Sequence, residues 1–119
     1  MQIQINTDHN IKGHEALAAQ VRGVVESALS HLSDHITRVE VHLSDESSHK
    51  STQNDKRCMM EARLEGRQPI AVTDEEATVA QAVDGAAGKL ARLIESTLGR
   101  QRVERSHRTD PPPPGSVSN

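Results

Sequence analysis

The fold class is indicated most clearly by residues 58–73, CMMEARLEGRQPIAVT. From Cys58 onward every second side chain is apolar, and this alternation is typical of a strand with one buried face and one exposed face. Residues 65–68, EGRQ, have the composition of a turn. Residues 69–73, PIAVT, predict a further short strand, which Pro69 can begin because the first position needs no backbone donor. The stretch therefore predicts two successive strands with their polar residues on one side.

Two more strands and two helices are predicted around this stretch. Residues 1–6 (MQIQIN) and 38–43 (RVEVHL) alternate in the same way. Between them, apolar residues recur with a helical period from residue 14 to about residue 32. A second apolar helical stripe begins at Val79 and should end near Gly99, because glycine often terminates helices.

These elements follow the order β-α-β-β-β-α, which predicts an α+β two-layer sandwich. Because every strand alternates, one face of a four-stranded sheet would be buried under both helices and the other face would be exposed. The first helix is long enough to connect parallel first and second strands, and the later strands would form an antiparallel meander. We expect a polar loop over residues 44–55, one domain over residues 1–102 and a flexible proline-rich tail over residues 103–119.

The composition excludes several functional classes. The sequence has no Phe, Tyr or Trp, so no aromatic surface is available on which a single-stranded base could stack. Its one cysteine, Cys58, excludes an internal disulfide and a cysteine-rich zinc site. The first ten residues lack the pattern of a signal peptide, and no apolar stretch reaches the ~18 residues of a membrane span. We therefore expect a cytoplasmic protein without a membrane partner.

Positive charge is concentrated towards the C-terminal end, although the net charge is −3. Residues 1–88 contain 8 Lys/Arg and 14 Asp/Glu, whereas residues 89–108 contain 6 Lys/Arg and 2 Asp/Glu, so the balance changes from −6 to +4. Such a cluster can face an anionic partner, or it can be a solvated helix end stabilised by the helix dipole. Charge alone favours the solvated helix end.

The segment AVDGAAGKLARLI, residues 82–94, superficially resembles a phosphate-binding loop. Such a loop requires Gly-x-x-x-x-Gly-Lys-Ser/Thr after a strand. Here Gly85 and Gly88 are only three residues apart, Leu90 occupies the Ser/Thr position, and the helical period continues through the segment. We expect no nucleotide site. Glycines within a helix are instead expected where a neighbouring element comes close or where exposure makes them tolerable.

Other candidate sites fail comparable tests. His31 and His35 are spaced for one helix face, but the glutamate of H-E-x-x-H and a third metal ligand are missing. Asp74 is expected to cap the second helix, and Cys58 to be a buried, inert thiol. Residues 47–49, SSH, have no partner to orient a catalytic triad. We predict no enzymatic activity, no metal, no cofactor and no small-molecule substrate.

Several stretches of the sequence resemble one family. The chain opens with the strand MQIQI, its first helix begins with HEAL, and its last helix carries A-[IV]-D-x-x-x-x-K-L-x-R as Ala82-Val83-Asp84 and Lys89-Leu90-Ala91-Arg92. The stretches GHEAL, ITRVEVHLSDE, DKRCMMEARLEGRQPIAV and GAAGKL add to this pattern. Over residues 1–102 the chain resembles the ribosome hibernation-promoting factor and ribosome-associated inhibitor family, also described as sigma-54 modulation or ribosomal subunit interface proteins.

The resemblance implies a fold similar to a double-stranded-RNA-binding domain, with two helices on one face of the sheet. It implies binding in the decoding region of the small ribosomal subunit, where such factors exclude tRNA and messenger and idle the ribosome under stress. Basic residues on the helices would face ribosomal RNA and read its shape. In this chain, the resemblance assigns that role to Lys89, Arg92, Arg100, Arg102 and, on the first helix, Arg22.

The chain departs from the resemblance at specific positions. Val24 and Ser27 stand where better-known members carry lysine, and Val79 and Ala80 replace the aromatic residue before A-[IV]-D. A second hypothesis is therefore a protein-interaction module on the same fold. Its exposed sheet face, or an edge strand, would contact a protein partner or a second copy as a homodimer. The expected residues of that face are Arg38, Glu40, His42, Met59, Glu61 and Arg63.

Overall fold

The computed structural model describes residues 1–8, 11, 14–46 and 54–109, and the side chains of residues 14 and 100–109 are outside this description. Residues 110–119, with the four consecutive prolines of the predicted tail, also lie outside the described residues. The elements are β1 (Gln2–Thr7), α1 (His14–Leu29), a 3-10 turn (Ser30–His35), β2 (Ile36–Asp45), β3 (Lys56–Leu64), β4 (Ile70–Glu76) and α2 (Val79–Thr109).

The four strands form one sheet in the order β1-β2-β3-β4. β1 and β2 are parallel, with Ile3 opposite Val39, and α1 connects them. β2, β3 and β4 follow as an antiparallel meander in which Met60 pairs with Val41 on one side and Val72 on the other. The predicted element order, strand directions and fold class are confirmed.

Both helices pack on the same face of the sheet, which we call the covered face. The largest fully buried side chains between this face and the helices include Leu29, Met60, Leu90 and Ile94. α2 also turns four buried alanines towards the core, at positions 82, 86, 87 and 91. Small side chains allow a helix to lie close to its neighbours, so a core without aromatic residues can still reach interior packing density. The other side of the sheet, the open face, carries the polar side chains that alternate with the core residues.

The C-terminal ends of α1 and α2 both differ from the sequence-based prediction. The α-helical part of α1 ends at Leu29, and a 3-10 turn continues the chain and buries Leu32. The predicted end of the second helix near Gly99 is wrong, because α2 continues to Thr109. Among the described residues the one glycine with positive φ is Gly66, at 71°. Gly99 therefore lacks the left-handed backbone of a C-terminal cap, and residues 100–109 contain neither glycine nor proline to interrupt the helix.

The predicted N-terminal cap of α2 is also wrong. Asp74 does not cap α2: it is a buried residue within β4, which extends to Glu76. The cap is Thr78, whose Oγ1 accepts a hydrogen bond from the backbone N–H of Gln81 at 3.1 Å. The same hydroxyl donates to Gln81 Oε1 at 3.2 Å, so the two side chains form a variant of the capping box. The alternation of buried and exposed residues continues through Asp74, as expected for a strand. The acidic composition of residues 74–76 led instead to the prediction of a helix start.

The predicted loop over residues 44–55 is shorter in the structure, since β2 extends to Asp45 and β3 begins at Lys56. Lys56 Nζ lies 2.7 Å from Asp55 Oδ1 and 3.4 Å from Asp45 Oδ1. These ion pairs join the end of β2 to the start of β3. Residues 47–53 lie outside the described residues. Within the described chain, neither helix has the length and apolarity needed to cross a membrane.

Candidate functional site

The cations predicted from the sequence lie on the helical layer. Lys89 and Arg92 are on α2, both exposed, and Arg22 is exposed on α1. Arg100 and Arg102 belong to the same helix α2, but their side chains are outside the described residues. The fold therefore brings the five predicted residues onto two helices that lie on one face of the sheet. Their local contacts are different, however.

Lys89 makes two hydrogen bonds within the protein. Its Nζ donates to Asp74 Oδ1 at 2.7 Å and to the backbone carbonyl of Thr73 at 3.1 Å. The Lys89 side chain remains 46% exposed, whereas that of Asp74 is only 9% exposed. The contact is thus a charge-assisted hydrogen bond between an exposed cation and a buried carboxylate, and it ties α2 to β4.

Gly85 explains how an aspartate fits beneath α2. A Cβ atom at Gly85 would overlap the carboxylate of Asp74, so only glycine leaves room for this side chain. Gly88 is less constrained, because its nearest neighbour would be Arg92 Nη1 at 3.4 Å. The close approach predicted for the glycines of AVDGAAGKL is confirmed at Gly85. The neighbour is a strand carboxylate that the sequence pattern did not reveal.

Asp74 also affects the titration of two neighbours on β3 and β4. A hydrogen bond to Asp74 and the negative charge of Asp74 raise the pKa of Glu76 above its ordinary value of 4.5, while the positive charge of Lys89 lowers it. Burial, assisted by the charge of Asp74, raises the pKa of the Cys58 thiol to about 12. A thiol with this pKa stays protonated at neutral pH, and Cys58 is fully buried. The prediction of a buried thiol at Cys58 is confirmed.

Arg92 lies three residues beyond Lys89 and is exposed. Its side chain forms neither an ion pair nor a hydrogen bond with another residue in the described part of the chain. Its guanidinium group lies back over Gly88, as expected for a long helical side chain directed towards the N-terminus. All its donors are therefore free to contact an anion from solvent.

Arg22 contacts β1, the edge strand on the opposite side of the sheet from β4. Its Nη1 donates to the backbone carbonyl of Ile3 at 3.2 Å, which joins α1 to the edge strand β1. β1, QIQINT, carries no charged residue that would discourage pairing with another strand. The Arg22 side chain therefore occupies one backbone acceptor of this edge strand.

An open groove of about 530 Å³ separates the outer surfaces of α1 and α2. Small residues from both helices form much of its lining, and Asp84 is the one charged residue among those lining it. Val24 and Ser27, the positions where lysines were expected by resemblance, lie along this groove. The complete lining comprises Gln20, Gly23, Val24, Ser27, Ala28, Asp84, Ala87 and Gly88. The sequence contained no signal for the groove, because it depends on how the two helices are placed.

The open face contains charges that are paired along each strand. Arg38 Nη2 lies 2.9 Å from Glu40 Oε1 and also contacts the Gln4 side chain, while Arg63 Nε lies 3.8 Å from Glu61 Oε1. Across the strands like charges are opposed, since Arg38 pairs with Arg63 and Glu40 with Glu61. The in-strand contacts balance this opposition, so the described residues of the open face present mixed charge and form no basic patch.

His31 lies on the 3-10 turn, close to α2. His31 Nε2 is 3.4 Å from Glu95 Oε2, and this contact joins the 3-10 turn to α2. In the described ranges, no three His, Cys, Asp or Glu side chains come together in a way that could hold a metal ion.

Comparisons with known proteins agree with this architecture. The model of the family described as sigma 54 modulation protein / S30EA ribosomal protein matches residues 4–102, and the chain belongs to that family. The structure of the Protein Y N-terminal domain from Thermus thermophilus is similar to the chain, with 23% sequence identity and a TM-score of 0.61, over 82% of this chain and 99% of that one.

A ribosomal subunit interface protein from Coxiella burnetii has a similar structure, with 19% identity and a TM-score of 0.62, over 82% of this chain and 97% of its own. A comparison with curated protein sequences gives no match. The family resemblance stated from the sequence is confirmed by the family model, and the structural similarities support the fold.

Proposed function

We propose that this chain is a non-enzymatic cytoplasmic factor of bacteria that binds ribosomal RNA of the small ribosomal subunit and idles translation under stress. Membership of the sigma 54 modulation protein / S30EA ribosomal protein family over residues 4–102 is the observation that carries this proposal. The names of the family and of the Coxiella burnetii protein both refer to the ribosome.

The proposed contact surface is the outer side of the helical layer, with Lys89, Arg92, Arg100, Arg102 and Arg22 as its cations. Arg92 is the strongest described candidate, because its guanidinium group is exposed and has no partner within the described residues. The long helix α2 supports Arg100 and Arg102 as later members, since both lie within its bounds, Val79–Thr109. Lys89 and Arg22 also serve the fold through their internal hydrogen bonds.

Such a surface would bind RNA mainly through its phosphates. Each phosphate contact releases condensed counterions, so affinity falls with salt concentration by a slope of about 0.9 per contact on a duplex. Without aromatic side chains the surface has no stacking platform for splayed bases. We therefore expect recognition of RNA backbone shape and a steep dependence on salt.

Co-sedimentation with purified small subunits at low and moderate salt tests the proposal. The informative variant is Arg92→Glu/Arg100→Glu, which reverses two charges on α2 and leaves the Lys89 contact with Asp74 in place. Its matched control is Arg38→Glu/Arg63→Glu, which makes the same charge change on the open face. We expect salt-sensitive binding by the natural chain that is lost in the α2 variant and kept in the control. Absence of binding by the folded natural chain would overturn the proposal.

The edge strand β1 favours a second candidate, a self-associating or protein-binding module. β1 lies at one edge of the sheet and has no charged residue, so its backbone groups could pair with a second copy of the chain. The Arg22 contact with the Ile3 carbonyl opposes this pairing. Light scattering at several concentrations should therefore show more association for Arg22→Ala than for the natural chain. A strictly monomeric protein that pulls down only ribosomes would remove this candidate.

A further inference from the structure

We propose that Asp74 sets the affinity of this chain for RNA by neutralising Lys89 on the surface of α2. This inference rests on the proposed function, because it assigns a role within the same contact surface. Asp74 is thus an affinity-determining residue that itself stays buried. The proposal comes from the geometry around the Lys89 ammonium group.

The ammonium group has three hydrogens, and two of them are used within the protein. One hydrogen bond goes to Asp74 Oδ1 at 2.7 Å and one to the Thr73 carbonyl at 3.1 Å. A phosphate that approaches the third hydrogen also approaches the negative charge of Asp74. The pair presents a dipole to the phosphate and not a full positive charge, so the contact releases few counterions.

The surroundings of Asp74 hold this carboxylate in place. It is fixed on β4, only 8% of the residue is exposed, and the backbone of α2 at Gly85 lies directly against it. Its Oδ1 lies 2.7 Å from the Lys89 ammonium group, and this ion pair compensates the charge of the carboxylate. Ions screen such a buried group much less than an exposed one. A phosphate in solution therefore competes poorly for Lys89.

Glu76 provides a second negative charge at the same place. It stands two residues after Asp74 on β4, and its carboxyl group interacts with both Asp74 and Lys89. If Asp74 alone were neutralised, Glu76 could take over part of its role. The decisive variant therefore replaces both residues, as Asp74→Asn/Glu76→Gln.

The open face offers a matched control for this variant. There, Glu40 and Glu61 lie opposite each other on neighbouring strands and are paired with Arg38 and Arg63. The variant Glu40→Gln/Glu61→Gln therefore changes the net charge equally and also releases cations, but on the other side of the sheet. A gain in RNA affinity that depends only on net charge would be the same in both variants.

The experiment compares four proteins: the natural chain, Asp74→Asn/Glu76→Gln, the open-face control, and Asp74→Asn/Glu76→Gln combined with Lys89→Met. Affinity for purified small subunits and for a short RNA duplex is measured over a series of salt concentrations. Circular dichroism and thermal unfolding confirm that each protein is folded. The duplex is included because it tests the charge argument without requiring the ribosome.

We expect the Asp74→Asn/Glu76→Gln variant to bind more tightly than the natural chain at low salt. Its salt dependence should be steeper by a slope of about 0.9, which corresponds to one additional phosphate contact and to an extra loss of about 3.5-fold in affinity between 50 and 200 mM salt. Adding Lys89→Met should remove the extra slope. The open-face control should leave the slope at its natural value.

An equal increase in slope in the open-face control would overturn the proposal, as would an unchanged slope in the Asp74→Asn/Glu76→Gln variant. If none of the proteins binds small subunits while the duplex shows the expected slopes, the ribosomal function fails and the role of Asp74 stands. If the natural chain binds subunits and both probes show no Lys89-dependent gain, the ribosomal function stands and the role of Asp74 fails.

Discussion

The two faces of the sheet use the same kinds of charged residue in different ways. On the covered face, Lys89 and Asp74 are 2.7 Å apart, and the Asp74 side chain is 9% exposed. On the open face, Arg63 and Glu61 are 3.8 Å apart, and the Glu61 side chain is 27% exposed. Water can replace the partner of Glu61 but has little access to Asp74.

The comparison shows that burial decides what an ion pair contributes. An exposed pair is typically worth 0 to about 1 kcal/mol, because water solvates the separated charges almost as well. A buried carboxylate that loses its partner retains an unsatisfied charge, and this loss is much larger. We therefore expect paired substitutions on the two faces to differ, and the following variants test this difference from the largest expected effect to the smallest.

The adjacent methionines of β3 test the faces without any charge. Met60 is fully buried on the covered face, whereas Met59 is partly exposed on the open face. Met60→Ala should lower the free energy of unfolding by about 2–5 kcal/mol through lost burial and a residual cavity. Met59→Ala should lower it by less than about 1 kcal/mol, in line with ordinary surface substitutions. Urea unfolding measures both, and equal effects would contradict the assignment of the two faces.

Breaking the two ion pairs tests the comparison directly. Lys89→Met leaves the Asp74 carboxylate without its cation, and we expect a loss of about 1–3 kcal/mol in unfolding free energy. Arg63→Met removes the corresponding cation from the open face and should lose less than about 1 kcal/mol. Guanidinium unfolding would obscure the charge effect, so urea at low salt is the appropriate measurement. If Lys89→Met left the free energy of unfolding unchanged, water would have to solvate the Asp74 carboxylate, and the comparison would fail.

Glycine-to-alanine substitutions in the two helices should have opposite signs. Gly85→Ala places a methyl group in the space of the Asp74 carboxylate, so overpacking should exceed the gain in helix propensity and lower stability by about 1–2 kcal/mol net. Gly23→Ala in α1 meets no atom within 4 Å and should raise stability by up to about 1 kcal/mol. Thermal unfolding of both variants provides the test. A more stable Gly85→Ala variant would mean that Asp74 can move away.

The smallest effect concerns pH. A hydrogen bond to Asp74 raises the pKa of Glu76 above 4.5, and the negative charge of Asp74 raises it as well. A carboxyl group with a raised pKa in the folded chain contributes stability at pH values below 4.5, and that contribution is lost as the pH rises through the folded-state pKa. Glu76→Gln should therefore remove a small decline in stability above pH 4.5. Unfolding curves from pH 4 to 8 measure it, and parallel pH profiles of the two proteins would exclude this coupling.

The sequence predicted much of the fold because alternation and helical periodicity are local signals. The burial pattern of β3, with Cys58, Met60, Ala62 and Leu64 inside, follows directly from its alternating letters. Helix ends were harder to predict. Gly99 has the residue type of a terminator, but its backbone stays helical, and glycine permits both conformations.

The candidate site was predicted only as a set of residue types. Family pattern and charge selected Lys89 and Arg92 together, and both are exposed on α2. Their difference could not be predicted, because Asp74 reads as a helix cap in sequence and lies 15 residues before Lys89. Likewise, the contact of Arg22 with Ile3 joins residues 19 positions apart.

The sequence by itself determined the order of the elements, the two faces of the sheet and the basic character of α2, because each depends on neighbouring residues or on composition. The tertiary structure alone decided which cations are available to a partner. Packing of α2 on β4 places Gly85 against Asp74 and gives the Lys89 charge to a buried carboxylate, while Arg92, three residues further on, faces solvent. Electrostatic interactions depend on distance and burial in space, and neither is encoded by position along the chain.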